Sequence, residues 1–154
     1  MRHDSWMLDE AIGTFIDYRV GFCNLDQPAY TKAMPPTAFL TSNVGYVRLH
    51  GRNCFNWYGA ADREQRKPRY DYLYTEAELA EWVKRIDRIR GYARKIFVVA
   101  NNGTEGKSIL TALTIQAMLD GRDPALTTPR ELLAICRKGA QTALFTEYAA
   151  RAVA

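Results

Sequence analysis

Three short apolar runs, at residues 20–26, 44–50 and 95–100, alternate in this chain with stretches where apolar residues recur every third or fourth position. Runs of that length fit buried strands and the intervening period fits helices. Strands alternating with helices argue for a parallel sheet covered by helices, an α/β fold.

The helical stretches carry their own punctuation. Leu8, Ala11, Ile12, Phe15 and Ile16 predict a helix over residues 6–18, capped by Asp4 or Ser5. Gln27, Pro28, Pro35 and Pro36 mark a surface connection, and Gly51, Arg52 and Asn53 a turn after the second strand. Thr75 and Glu78 form a capping box ahead of a helix whose apolar face is Leu79, Trp82, Val83, Ile86 and Ile89, with Gly91 as its stop. A further helix carries Leu110, Leu113, Ala117 and Met118. Thr128, Pro129, Arg130 and Glu131 open a terminal, Ala-rich one. Between the second strand and the capping box, residues 54–74 form a long loop dense in aromatics. There Trp57, Tyr58, Tyr70 and Tyr72 either stack on a sugar or base or pack as a lid over the sheet.

Composition sets the outer limits. At 154 residues, 47% hydrophobic and 25% charged, the chain is neither disordered nor fibrous, and one domain is the default. The 21 Lys and Arg against 17 Asp and Glu leave +4, spread along the chain, a mild preference for anionic partners such as a small molecule or nucleic acid. Cys23, Cys54 and Cys136 make no Cys-x-x-Cys pair, so neither a disulfide framework nor a zinc knuckle is indicated. Residues 1–6 lack an apolar signal core, and no run reaches the ~18 apolar residues of a membrane span. The expectation is a cytoplasmic chain with no membrane partner.

In parallel α/β folds the ligand site lies beyond the carboxyl ends of the strands. Those ends are polar here: Asp26, then Arg48 and His50, then Asn101 and Asn102. Alternation puts Arg48 and His50 on one face, and Asn24 and Asp26 on one face. With His3 just before the first helix, both histidines of the chain are candidates for one pocket. A plain ion pair between Arg48 and Asp26 is the competing reading. No dense ligand motif supports a metal, and no cofactor follows.

Residues 101–108 lie between a strand and a helix and come one glycine short of a P-loop, with Asn101 where its first glycine belongs. Nucleotide hydrolysis would need Asp26 to hold Mg²⁺, and we disfavour it. A weaker reading keeps Gly103, Gly106, Lys107 and Ser108 as an anion site at a helix N-terminus, unless Lys107 is a solvated surface residue.

Several segments now fall into one pattern: Arg2-His3-x-Ser5-Trp6, the strand ending in Asp26, the run from Tyr46 to Asn53, Tyr70-Asp71-Tyr72-Leu73-Tyr74 followed by Glu78-Leu79, and Asn101-Asn102 with Gly106. Together they resemble domain-of-unknown-function family seventy-two, the YecE-like proteins, over about residues 2–119. The resemblance implies a TIM-type (β/α)₈ barrel with a polar cleft at its strand ends, but no fixed reaction. It also implies strands ahead of Arg2, which are absent, so about three strands, the family's sixth to eighth, are expected. Three parallel strands cannot close a barrel. The expectation is a partial barrel over residues 1–120 with a helical extension over 121–154, needing a missing N-terminal half or another chain.

Within that frame His3 and His50 are the candidate proton donors or acceptors. Arg2, Arg48 and Arg52 would bind an anionic group, since guanidinium forks match phosphate and carboxylate. Asp26 would orient a histidine or bind a hydroxyl, while Trp6, Asn53, Tyr70, Tyr72, Asn101 and Asn102 would contact substrate. The leading expectation is an enzyme directed at a phosphoester or sugar phosphate. Its competitors are a non-catalytic anion or nucleic-acid binding module and a truncated remnant.

Overall fold

The computed structural model describes residues 2–54, 67–103, 105–130 and 132–134. Its elements are α1 (Asp9–Asp17), β1 (Cys23–Asp26), β2 (Val44–Leu49), α2 (Glu76–Arg90), β3 (Lys95–Ala100), α3 (Lys107–Leu119) and α4 (Pro124–Thr127), with 3₁₀ turns at Asp4–Trp6 and Lys67–Tyr70. The three strands form one sheet in the order β1-β2-β3, and both pairings are parallel. This is the expected α/β arrangement.

Register decides what each face of the sheet carries. Paired residues in parallel strands point to the same side, and Leu25 pairs with Arg48, Asp26 with Leu49, Arg48 with Val99 and Leu49 with Ala100. One face therefore bears Asn24, Asp26, Val47, Leu49 and Val98. It is the face covered by α2 and α3, where Val47, Leu49, Tyr74, Leu79, Trp82, Ile86 and Ile115 form the core. The opposite face bears Cys23, Leu25, Tyr46, Arg48, Phe97 and Val99. Extending the same register by one residue aligns Gln27, His50 and Asn101 across the strand ends on that second face.

α2 forms as its sequence dictates. Thr75 accepts the Glu78 N–H, the Glu78 carboxylate accepts the Thr75 N–H, and Gly91 is the C-cap. Leu79, Trp82, Ile86 and Ile89 are its buried stripe. Of the described N-terminal elements, α1 departs from expectation. The segment from residue 6 to 18 is split: His3 Nδ1 accepts the Ser5 N–H and closes a separate 3₁₀ turn, so α1 starts only at Asp9, with Leu8 as an N-cap that offers no side-chain bond. α1 buries no residue, leaving Leu8 and Ile16 more than half exposed.

β1 is also shorter than its apolar run. Thr41 Oγ1 accepts from Phe22 N at 2.8 Å and donates to the Val20 carbonyl at 2.6 Å, so a loop hydroxyl takes the place of strand pairing at residues 20–22. Beyond α3, Asp123 caps α4 with Pro124 at its first turn, an element absent from the sequence expectation. A hydrogen bond from Leu133 N to the Pro129 carbonyl then restarts helical structure where Pro129 suggested it. Trp57, Tyr58, Glu131, Cys136 and most of the Ala-rich end lie outside the described residues.

Candidate functional site

His50 sits at the strand ends of the sheet face opposite α2 and α3, 2% exposed. The Asn101 amide lies 2.9 Å from its Nδ1, an Arg2 guanidinium nitrogen lies 3.4 Å from its Nε2, and the Tyr70 ring is centred 5.5 Å away. A guanidinium only donates, so Nε2 must present its lone pair to Arg2. The neutral ring then keeps its proton on Nδ1, directed at the Asn101 amide oxygen, a half-turn of that amide being neutral in shape. Arg48 lies one row below on the same face, its Nε buried and without a hydrogen-bond partner.

This arrangement sets the charge state. Burial, together with the positive charges of Arg2 and Arg48, lowers the His50 pKa to about 4. The imidazole is thus neutral at pH 7. Burial also pushes the Cys23 thiol up, against the pull of the N-terminus, Arg48 and Arg2. None of the strand positions on this face carries a carboxylate, from Cys23 to Gln27 or along β2 and β3 to Asn101.

Asp26, expected beside a histidine, belongs to the other face. It is fully buried. Its carboxylate accepts from Arg52 Nε and Nη2 at 3.0–3.1 Å, from Trp82 Nε1 at 3.0 Å and from the Tyr74 hydroxyl. The register turns Asp26 away from Arg48, which removes the alternative ion pair as well. Arg52 is occupied by the same cluster: Glu78 Oε1 lies 3.3 Å and Glu81 Oε2 3.7 Å from its nitrogens. Although burial opposes it, the Asp26 and Glu78 charges hold Arg52 even more firmly protonated than usual. Tyr72 joins this side by donating to Glu78 at 2.6 Å. Burial and that carboxylate raise its pKa above the normal phenol range. Asp26, Arg52 and Tyr72 thus brace α2 against the sheet.

The paired asparagines separate in the same way. Asn101 faces His50, whereas Asn102, fully buried, donates to the Tyr72 carbonyl and to Thr111 Oγ1, each at 2.8 Å. Asn53 donates to the Asp71 carbonyl at 3.3 Å. Lys107 is neither an open anion cradle nor a solvated residue: it is 2% exposed, and its ammonium pairs with Asp71. With that charge taken, and with Asp26 bonded elsewhere, the P-loop reading loses both of its ionic groups. Gly106 caps α3 at φ 78°, Gly103 adopts φ 131°, and Ser108 lies on the first turn of α3. His3 is exposed and bonded within its own turn to Ser5 and Asp4. Trp6 packs on Phe15, ring centres 6.1 Å apart, on the flank of α1. Arg2, rather than His3, is the N-terminal residue brought to His50. Among the described residues, no group of three or more His, Cys, Asp and Glu side chains is placed to hold a metal.

A family model described as "Protein of unknown function DUF72" matches residues 1–133. The chain belongs to the DUF72 family. It is 29% identical over 110 residues to the UPF0759 protein YunF of Bacillus subtilis (strain 168), covering 70% of this chain and 39% of that protein. Among solved structures, a DUF72 family protein from Thermotoga maritima is similar at a TM-score of 0.70 and 28% identity, over 77% of this chain and 44% of the other. One from Enterococcus faecalis is similar at 0.67 and 27% identity, over 78% and 46%. This DUF72 chain therefore spans less than half the length of the relatives it matches.

Sequence reasoning missed the roles of two residues of this DUF72 chain, Gln27 and Asp71. Gln27, placed in a surface connection by its neighbouring prolines, is 7% exposed, and its amide donates to the Arg2 carbonyl at 2.7 Å. The signal was available, because Gln27 continues the Cys23, Leu25 alternation onto the His50 face. Asp71 as the partner of Lys107 had no such signal, since no periodicity links residues 36 positions apart.

Proposed function

We propose that the strand-end face of this chain receives an anionic ligand of the phosphoester or sugar-phosphate class. What carries the reading is one observation: two guanidiniums, Arg2 and Arg48, converge on a buried neutral His50, on a sheet face whose strands carry no carboxylate. Paired guanidiniums match the oxygens of a phosphate group in charge and in geometry. The anion lies against the two guanidiniums, Asn101 holds the ring tautomer, and Tyr70 walls the ring. Screening of the arginine charges raises the His50 pKa from about 4, while burial, the larger cause, continues to hold it below its ordinary value. His50 then takes and returns a proton more readily than it does without the anion.

A second reading, a non-catalytic anion-binding module, is favoured by the low pKa itself, because a base near 4 is weak at pH 7. Product formation separates the two. The test is calorimetric titration of phosphate monoesters and a ribo-oligonucleotide into the wild type, Arg48→Ala and His50→Ala. Arg48→Ala is expected to weaken binding by about tenfold or more, the scale of a lost charge-assisted bond. Unchanged binding in both variants would remove the site.

The architecture belongs to the same proposal. We take the three strands as a segment of a TIM-type (β/α)₈ barrel, residues 1–120 as its domain and 121–154 as a helical extension, with the other strands supplied from outside these 154 residues. The support is the all-parallel order and the greater length of the relatives. A cytoplasmic location is proposed on the free Cys23 and Cys54.

A further inference from the structure

Arg2 owes its position to its main chain. Its carbonyl accepts from Gln27 Nε2 at 2.7 Å, from Met34 N at 2.8 Å and from the Tyr30 hydroxyl at 3.3 Å. Of these donors only Gln27 also belongs to the sheet face of the site, in register with His50. The Gln27 amide reaches the Met34 carbonyl as well, at 3.4 Å, while its buried Oε1 has no hydrogen-bond partner. The amide is therefore oriented by donation alone, to two carbonyls, one of which fixes where the Arg2 guanidinium emerges. That guanidinium ends 3.4 Å from His50 Nε2.

We propose that Gln27 is a positioning residue of the strand-end site, whose buried amide locks the Arg2 main chain so that Arg2 and Arg48 together form the cationic wall that receives the anion. The inference rests on the anion-binding reading of this site, but its geometry can be tested apart from it. Among the described residues, the charged and titratable groups that face His50 or share its sheet face include Arg2 from the N-terminal segment, Arg48 from β2, Cys23 from β1 and Tyr70 from the 3₁₀ turn. Of these, only Arg2 is held through Gln27.

The experiment uses the whole chain as wild type, Gln27→Met, Arg2→Met, the double variant and Arg48→Met. Two quantities are read: the His50 pKa by NMR titration of its ring, and the affinity for inorganic phosphate. Gln27→Met is expected to raise the His50 pKa and weaken phosphate by about fivefold to tenfold. The double variant should then behave like Arg2→Met alone, because the two act through one group, whereas Gln27→Met and Arg48→Met should add. Additive losses for Gln27 and Arg2, or an unmoved His50 pKa in Gln27→Met, would overturn the proposal. If phosphate binds none of the proteins, the anion reading falls, and the pKa arm still decides whether Gln27 positions Arg2. Should Gln27→Met not fold, Gln27→Asn keeps the amide, shortens its reach by one methylene, and is expected to move both readouts in the same direction.

Discussion

At the scale of single residues, identical chemistry is put to opposite uses on the two sides of the sheet. Arg48 and Arg52 are both arginines near the end of β2. Arg52 is neutralised by Asp26 and Glu78 on the helix-covered face, while Arg48 stands on the opposite face with its Nε buried and unbonded. Asp26→Asn should therefore act on stability, leaving Arg52 facing a neutral group, at a cost of about 3 kcal/mol in chemical denaturation. His50 gives a prediction with a sign. Its pKa falls from 6.5 in the unfolded chain to about 4 in the folded one, so below pH 6.5 the unfolded chain binds the extra proton. Stability should be intact above pH 6.5 and decline as the pH drops toward 4, by on the order of 3 kcal/mol. Unfolding midpoints measured between pH 8 and 4 test this, and His50→Gln should flatten that part of the profile.

At the scale of elements, what was legible in the sequence is what short-range chemistry fixes. The capping box, the buried stripe and the glycine stop of α2 lie within the segment itself, and the structure reproduces them. The bounds of β3 are those of its apolar run. One error falls where a distant group competes, Thr41 taking the backbone bonds that residues 20–22 would give to a strand, and the other where a local side chain does, His3 closing a turn that separates Trp6 from α1. For the site the limit was sharper. Arg48, His50 and Asn101 follow from alternation on their own strands, but Asp26 needed the register between β1 and β2, which no single-strand pattern contains. Because α2 is so fully specified, its defects should be graded. Thr75→Ala should lower stability by about 1 kcal/mol, and Trp82→Ala, which empties a fully buried site and removes one of the donors to Asp26 Oδ1, by about 3–5 kcal/mol. Both are read from denaturant midpoints. Gly103→Ala belongs to the loop after β3. With φ at 131° and a Cβ that would fall 2.6 Å from the Tyr70 carbonyl, it should disturb the wall of His50 as well as the fold.

At the scale of the whole molecule, the two faces of the sheet differ in what covers them. Trp82, Leu79 and Ile86 seal one, whereas Phe97 on the other remains 44% exposed on the edge strand β3, beside a half-buried Tyr46 and Arg48. If the three strands belong to a TIM-type barrel, this second face is the wall of its interior. Interiors of such barrels are packed with side chains rather than left as pores. An edge strand with an apolar inner face and unpaired backbone groups recruits other chains. The 154-residue chain on its own is thus expected to self-associate at micromolar concentration in light scattering. Phe97→Lys should reduce that association while shifting the thermal midpoint little, because Phe97 contributes little burial to the core. A monodisperse wild-type monomer with a single cooperative transition would instead mean that the open face is satisfied as it stands, and the barrel reading would have to be abandoned.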